Sequence, residues 1–103
     1  RYISFMKKIP LYKFYRNKTT LIITCDHGRG DGSVSIGDWR SHGYGLPSSK
    51  ETWLMALGKN IPAKGEVKDS TVYYNKQIAP TVAKILGIDF HPDHEGAGTP
   101  IDF

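Results

Sequence analysis

Two short runs of consecutive apolar residues stand out in an otherwise polar chain. The first spans Thr19 to Cys25 and is rich in β-branched residues; the second spans Glu51 to Leu57 and stops at Gly58. Both runs predict β-strands. Because the first run does not alternate between apolar and polar positions, we expect it to be covered on both faces, as in a parallel sheet flanked by helices.

A helical pattern follows the two strands. Apolar residues recur three or four positions apart at Ile78, Val82, Ile85 and Leu86. This spacing predicts a helix over Asn75 to Leu86. Pro80 falls in its first turn, where a missing N–H costs least, and Gly87 stands where a C-terminal cap belongs.

The chain begins with a basic, aromatic segment. Arg1 to Lys8 fits the end of an amphipathic helix that Pro10 breaks, which leaves Leu11 to Lys18 as a connector. Six basic residues precede the first acid, Asp26, while the whole chain carries a net charge of +4. Such an arm can bind an anionic partner, or it can pack its aromatic rings and leave its lysines in solvent. Without an accompanying nucleic-acid motif, we expect no nucleic-acid partner.

Length and composition indicate part of a folded domain. The 103 residues are 39% hydrophobic and 23% charged, which argues against disorder. No apolar run reaches the roughly 18 residues of a membrane span. The order strand, loop, strand, helix indicates the α/β class, but two strands are few for an independent parallel sheet. Since the chain also lacks an initiator methionine, we expect residues 1–103 to form a single unit without internal boundary, the C-terminal part of a larger α/β domain.

The candidate chemistry follows the first strand. Asp26 and His27 stand where that strand ends, and ligands of open α/β sheets bind at the carboxyl ends of strands. Carboxylate and imidazole groups are good ligands for zinc-like ions. Gly28 permits the turn that two adjacent side chains need to converge, and a glycine-rich loop can carry His42 back towards them. These three residues are therefore candidate metal ligands.

The sequence Thr19-Thr-Leu-Ile-Ile-Thr-Cys-Asp-His-Gly28 resembles the metal-binding strand and loop of the alkaline phosphatase superfamily. His42-Gly43, the run from Trp53 to Gly58 and the segment from Ile78 to Gly87 match, in order, the C-terminal end of that family. The nucleotide pyrophosphatase/phosphodiesterase and phosphatase branches are closest in pattern. The resemblance implies the C-terminal portion of a three-layer α/β/α domain with a mostly parallel sheet. Many relatives are exported, which favours a periplasmic or extracellular location.

The resemblance also implies a two-metal hydrolase of phosphate esters. Asp26 and His27 would bind one ion, His42 the second, and both ions would be zinc. The family's nucleophile and remaining metal ligands belong to an N-terminal part with no counterpart here. We therefore expect no catalytic nucleophile in this chain and no activity from it alone, and its partner would be the remainder of the catalytic domain.

Alternatives remain open within and outside the superfamily. Lys50, just before the second strand, keeps a sulfatase possible, with calcium as its ion and a sulfate ester as its substrate. Cofactor-independent phosphoglycerate mutase, normally with manganese, is a third relative. Outside the superfamily, the chain could be a non-catalytic module whose basic arm binds an anion or an acidic partner.

Several other residues have both a structural and a functional interpretation. His91 and His94 are spaced for a metal clip or belong to a solvated turn, and Arg29-Gly30-Asp31 is an integrin-binding tripeptide or part of the metal-site loop. Arg40, like Arg29, would meet an anionic substrate or fix its loop. The sole cysteine, Cys25, allows no internal disulfide and is expected to be buried. Structural roles are expected of the strand threonines and of the two tryptophans, namely Thr19, Thr20, Thr24, Trp39 and Trp53.

Overall fold

The computed structural model describes residues 12–15, 17–93 and 95–103. The chain divides into two compact units, Arg1–Ala63 and Lys64–Phe103. The helix expected over Arg1 to Lys8 lies outside the described residues. Membership of a larger three-layer domain stays a prediction.

The first described element is a four-residue helix, α1 (Tyr12–Tyr15). It occupies part of the segment that the sequence predicted to be a connector, so that prediction is wrong here. The Phe14 ring packs edge-on against Tyr15 with centroids 5.1 Å apart, and the Lys18 ammonium lies 4.6 Å from the centre of the Phe14 ring. These contacts are local, and since Phe14 is 61% exposed they do not decide between the packing and the binding interpretation of this segment.

The two predicted strands are β1 (Thr20–Thr24) and β2 (Leu54–Gly58). They pair antiparallel, with Thr20 opposite Gly58 and Thr24 opposite Leu54. The hydroxyl of Thr20 donates to the carbonyl of Lys59 at 2.9 Å, and that of Thr24 to the carbonyl of Trp53 at 2.8 Å. These threonines therefore stabilise the strand pair at both ends, which is the structural role expected of them. The mostly parallel sheet stays a prediction, because the described strands form one antiparallel pair.

Both faces of the strand pair are apolar. Since side chains alternate between the faces, Ile23 and its partner Met55 share one face, while Ile22 and Ala56 share the other. Ile23 is 38% exposed and Met55 46% exposed. Both faces of the strand pair are therefore apolar, as the sequence pattern predicted. The predicted burial of both faces is incomplete, however, because Ile23 and Met55 remain partly exposed to solvent.

The second unit is organised by α2 (Ile78–Leu86), which a 3-10 turn at Asn75–Gln77 precedes. Pro80 lies in the first turn of α2, as predicted. Gly87 ends the helix in the left-handed conformation, with φ of 69°, and its N–H donates to the carbonyl of Lys84. The next N–H, that of Ile88, donates to Ala83, so the last carbonyls are satisfied by a two-bond cap that a side chain at position 87 would strain.

The C-terminal segment packs on α2 and creates the small core of this unit. Thr81 is 1% exposed, and its hydroxyl donates to Gln77 and accepts from the Ile101 N–H at 2.8 Å. Ala83 and Ile101 are buried beside it. The apolar residues that define the helical pattern are more exposed to solvent than Thr81, since Val82 is 39% and Leu86 64% exposed. Burial therefore follows the docking of the C-terminal segment rather than the apolar stripe of the helix.

Within the described residues, no helix is long and apolar enough to cross a membrane.

Candidate metal centre

The chain turns sharply where β1 ends. The N–H of Gly28 donates to the carbonyl of Ser49 at 2.8 Å, which ties this turn to the 3-10 turn Pro47–Lys50. A Cβ at Gly28 would overlap the carbonyl oxygens of Ser48 and Glu51. Only glycine permits this close approach of the two backbones. The bend itself lies at Asp26, and glycine is required at position 28 by the close approach of a second backbone segment.

The loop brings His27 and His42 together. Their rings are stacked with centroids 4.0 Å apart and planes inclined by 18°. Both imidazoles line a pocket of about 210 Å³, and the rest of the wall comes from Gly43, Tyr44, Ser49 and Lys50. The wall is almost entirely apolar, so the Lys50 side chain contributes its aliphatic part rather than its ammonium to the lining.

The hydrogen bonds of His27 assign its two ring nitrogens. Nδ1 lies 2.7 Å from the carbonyl oxygen of Gly28. A carbonyl oxygen only accepts, so Nδ1 carries the proton and Nε2 of the neutral ring keeps its lone pair. A metal-binding histidine is commonly oriented in this way, through a bond from its other nitrogen to a backbone carbonyl.

The Asp26 carboxylate lies on the Nε2 side of the His27 ring. Its Oδ1 is 3.7 Å from Nε2 of His27 and also accepts the His27 backbone N–H at 2.9 Å. Two ligand atoms of one tetrahedral zinc ion, each about 2.0–2.2 Å from the metal, lie roughly 3.4 Å apart. The oxygen and nitrogen are thus close to the separation that a shared ion requires. Within the described ranges, no group of three or more His, Cys, Asp or Glu side chains is arranged to hold a metal ion.

Asp38 organises the glycine-rich loop, and sequence reasoning missed it. Its side chain accepts hydrogen bonds from the backbone N–H groups of Gly32, Val34 and Ser35, at 2.6, 3.0 and 3.2 Å. The residue is 5% exposed. Burial raises the pKa of Asp38, but the three amide donors lower it by more in sum, so the pKa falls below its ordinary value. An aspartate among glycines and serines was the available signal, because such side chains cap nearby backbone amides.

Asp31 is a second anchor of this loop. Its carboxylate accepts the Ser33 N–H at 3.0 Å and the Ser48 hydroxyl at 2.6 Å. Hydrogen bonds from Ser33 and Ser48 lower the pKa of Asp31 to about 2. The aspartate of the Arg-Gly-Asp sequence is therefore engaged within the loop, which favours the loop interpretation of that tripeptide.

The two arginines near the site also make loop contacts. Nη1 of Arg29 donates to the carbonyl of Arg40 at 3.2 Å. The guanidinium of Arg40 lies 4.8 Å from the ring centre of Trp39, which is 56% exposed. These contacts favour a role in fixing the loop. His91 lies in the second unit, and its proposed partner His94 is outside the described residues, so the clip stays a prediction.

What the arrangement offers chemically is an open pocket with a mostly apolar wall, lined by two histidines and a lysine near the end of β1. Its lining includes an imidazole oriented through Nδ1, a second imidazole stacked on it and a lysine, and a carboxylate lies beside the first ring. These donors suit a divalent cation and an anion near it. No protein family matches the sequence, and no curated protein or solved structure matches it either.

Proposed function

We propose that this chain is the C-terminal part of a metal-dependent hydrolase of phosphate esters with a two-metal site. Asp26 and His27 bind one ion and His42 binds the other. The observation that carries the proposal is the 4.0 Å separation of the stacked imidazoles. In two-metal hydrolases the ions lie about 3.5–4 Å apart, so their histidine ligands must come close together, as these two rings do.

Different residues of the chain contribute to metal binding and to substrate binding. The Gly28 carbonyl holds His27 in the tautomer that leaves Nε2 open, and Asp26 brings a negative charge to the same side. Lys50 attracts the anionic ester to the pocket. When bound, metal ions of this kind stabilise the charge of the transferring phosphoryl group and activate a nucleophile. The nucleophile and the remaining ligands belong to the preceding part of the domain.

A sulfatase is the second candidate function. Lys50 lines the same pocket as His27 and His42, and a lysine beside a single ion would bind a sulfate ester equally well. In that case one calcium ion would replace the zinc pair. A non-catalytic role through the basic segment is the third possibility, and it would not need the histidines at all.

Metal analysis and a panel of substrates test these proposals in the longer protein that contains this chain. We expect two zinc ions per molecule and hydrolysis of phosphate mono- or diesters. Asp26→Ala and His27→Ala should each abolish hydrolysis and lower the zinc content. His91→Ala removes an exposed histidine outside the pocket and is the matched control.

Each remaining outcome selects another candidate. Calcium binding with hydrolysis of sulfate esters would establish the sulfatase. Zinc loss in His91→Ala would move the metal site to the C-terminal segment. The third outcome has two parts: the histidine variants bind metal normally, and neutralising Lys7, Lys8 and Lys13 abolishes binding of an anionic partner. Together these results would show that the chain is a non-catalytic binding module.

A further inference from the structure

Ser49 links the two histidine turns. It lies in the 3-10 turn Pro47–Lys50 and is 7% exposed. Its carbonyl accepts the N–H of Gly28 at 2.8 Å. Its hydroxyl accepts the N–H of Gly43 at 3.2 Å and lies 2.7 Å from the Gly43 carbonyl oxygen and 2.7 Å from that of Leu46. One buried residue therefore bonds to the backbone directly after each pocket histidine.

The two links differ in chemistry. The link at Gly28 uses only the backbone of Ser49 and would survive any side-chain substitution. The link at Gly43 depends on the hydroxyl, which has one proton to donate and lone pairs to accept with. Removing that hydroxyl would leave the N–H of Gly43, an exposed residue, to bond with water, which does not hold the loop in place.

We propose that Ser49 is the positioning residue that sets the separation of His27 and His42. The 3-10 turn acts as a shared support: its backbone fixes the His27 side and its hydroxyl fixes the His42 side. Loss of the hydroxyl should release the His42 ring while the His27 turn keeps its place. The consequence for metal binding rests on the proposed function, but the positioning itself does not.

The test measures the ring contact directly, without metal. In protein labelled with [ε1-13C]histidine, stacked rings 4.0 Å apart should give a nuclear Overhauser cross-peak between His27 and His42. We expect Ser49→Ala to reduce this cross-peak at least threefold and Ser49→Thr, which keeps a hydroxyl, to restore most of it. Ser48→Ala is the matched control, because the Ser48 hydroxyl donates to Asp31 instead. In that variant the cross-peak should persist.

Zinc affinity gives a second readout. Loss of a supporting hydrogen bond behind a metal ligand typically weakens metal binding about 10- to 100-fold, and we expect Ser49→Ala to fall in this range. An unchanged cross-peak in a folded Ser49→Ala protein would overturn the inference. If that variant does not fold, Ser49→Cys, which keeps the size but bonds weakly, must show the same reduction. If wild-type protein binds no zinc while the cross-peak responds to Ser49, the proposed function fails and the positioning role stands.

Discussion

His27 and His42 are fifteen residues apart in sequence, yet their rings stack with centroids 4.0 Å apart. The contact exists because the turn after each histidine bonds to the same 3-10 turn, Pro47–Lys50. Two imidazoles gain little from stacking in water when a loop must be ordered to bring them together. We therefore interpret the contact as part of the proposed metal site, in which His27 binds one ion and His42 the other.

The number of ions should depend on His42. If each imidazole serves one ion, His42→Ala should reduce the metal content of the full-length protein from two ions to one, because the pair of Asp26 and His27 remains. Metal analysis after exhaustive dialysis measures this. Retention of two ions in His42→Ala would contradict the assignment, and His91→Ala should keep both.

Gly28 should tolerate no side chain. Since a Cβ there overlaps two carbonyl oxygens, Gly28→Ala should lower the free energy of unfolding by about 1–3 kcal/mol through displaced backbone. It should also weaken zinc binding, because the turn carries His27. Chemical denaturation measures the first effect. Gly37→Ala is the control, since nothing lies within 4 Å of a Cβ at that position, and a similar loss there would refute the explanation.

The loop should lose stability in acid. The pKa of Asp31 is lowered to about 2 by Ser33 and Ser48, and the pKa of Asp38 is lowered in net. A carboxyl whose pKa is lower in the folded state stabilises the fold above its unfolded pKa, which is about 3.9. This contribution should therefore disappear as the pH falls from about 4 to about 2.

Melting temperatures of the wild-type protein and of Asp31→Asn and Asp38→Asn between pH 6 and 2 measure the effect. Each variant should be less stable at pH 6 and should show a shallower decline below pH 4. Asp69→Asn, in the second unit, is the comparison for a carboxylate outside this loop. Parallel curves for the wild type and both loop variants would refute the role of these carboxylates.

Lys50 should affect substrate binding more than turnover. Lys50 lines the pocket but is an exposed residue, so the attraction of its ammonium for an anion is worth at most about 1 kcal/mol. Lys50→Ala should raise the KM for a phosphate ester about two- to fivefold with kcat nearly unchanged. Steady-state kinetics at low ionic strength measures this, with Lys59→Ala as the control. A large fall in kcat would instead give Lys50 a direct part in the reaction.

Thr81 should stabilise the second unit through its hydroxyl. Thr81→Val keeps the shape but leaves the N–H of Ile101 without its partner, at a cost of about 1–3 kcal/mol in the free energy of unfolding. Thermal denaturation measures this. Thr71→Val, at an exposed position, should be near neutral. If both variants lowered the free energy of unfolding equally, the hydroxyl of Thr81 would not be the cause of the loss.

The sequence by itself determined the local elements. The β-branched run before Asp26 formed β1, and the apolar spacing with Pro80 and Gly87 marked the helix and its end. These features could be read from the chain because they depend on neighbouring residues: periodicity, a proline in the first turn and a glycine cap. Asp26, His27 and His42 were chosen as candidate ligands from their place after a predicted strand and from the family resemblance.

Only the tertiary structure decided how distant segments meet. The antiparallel pairing of β1 with β2, the burial of Thr81 in place of Val82 and the support of both histidine turns by Ser49 depend on contacts between residues far apart in sequence. The spacing of apolar and polar residues along the chain does not reveal such contacts. They arise because backbone donors and acceptors that leave water must find partners wherever the folded chain brings them.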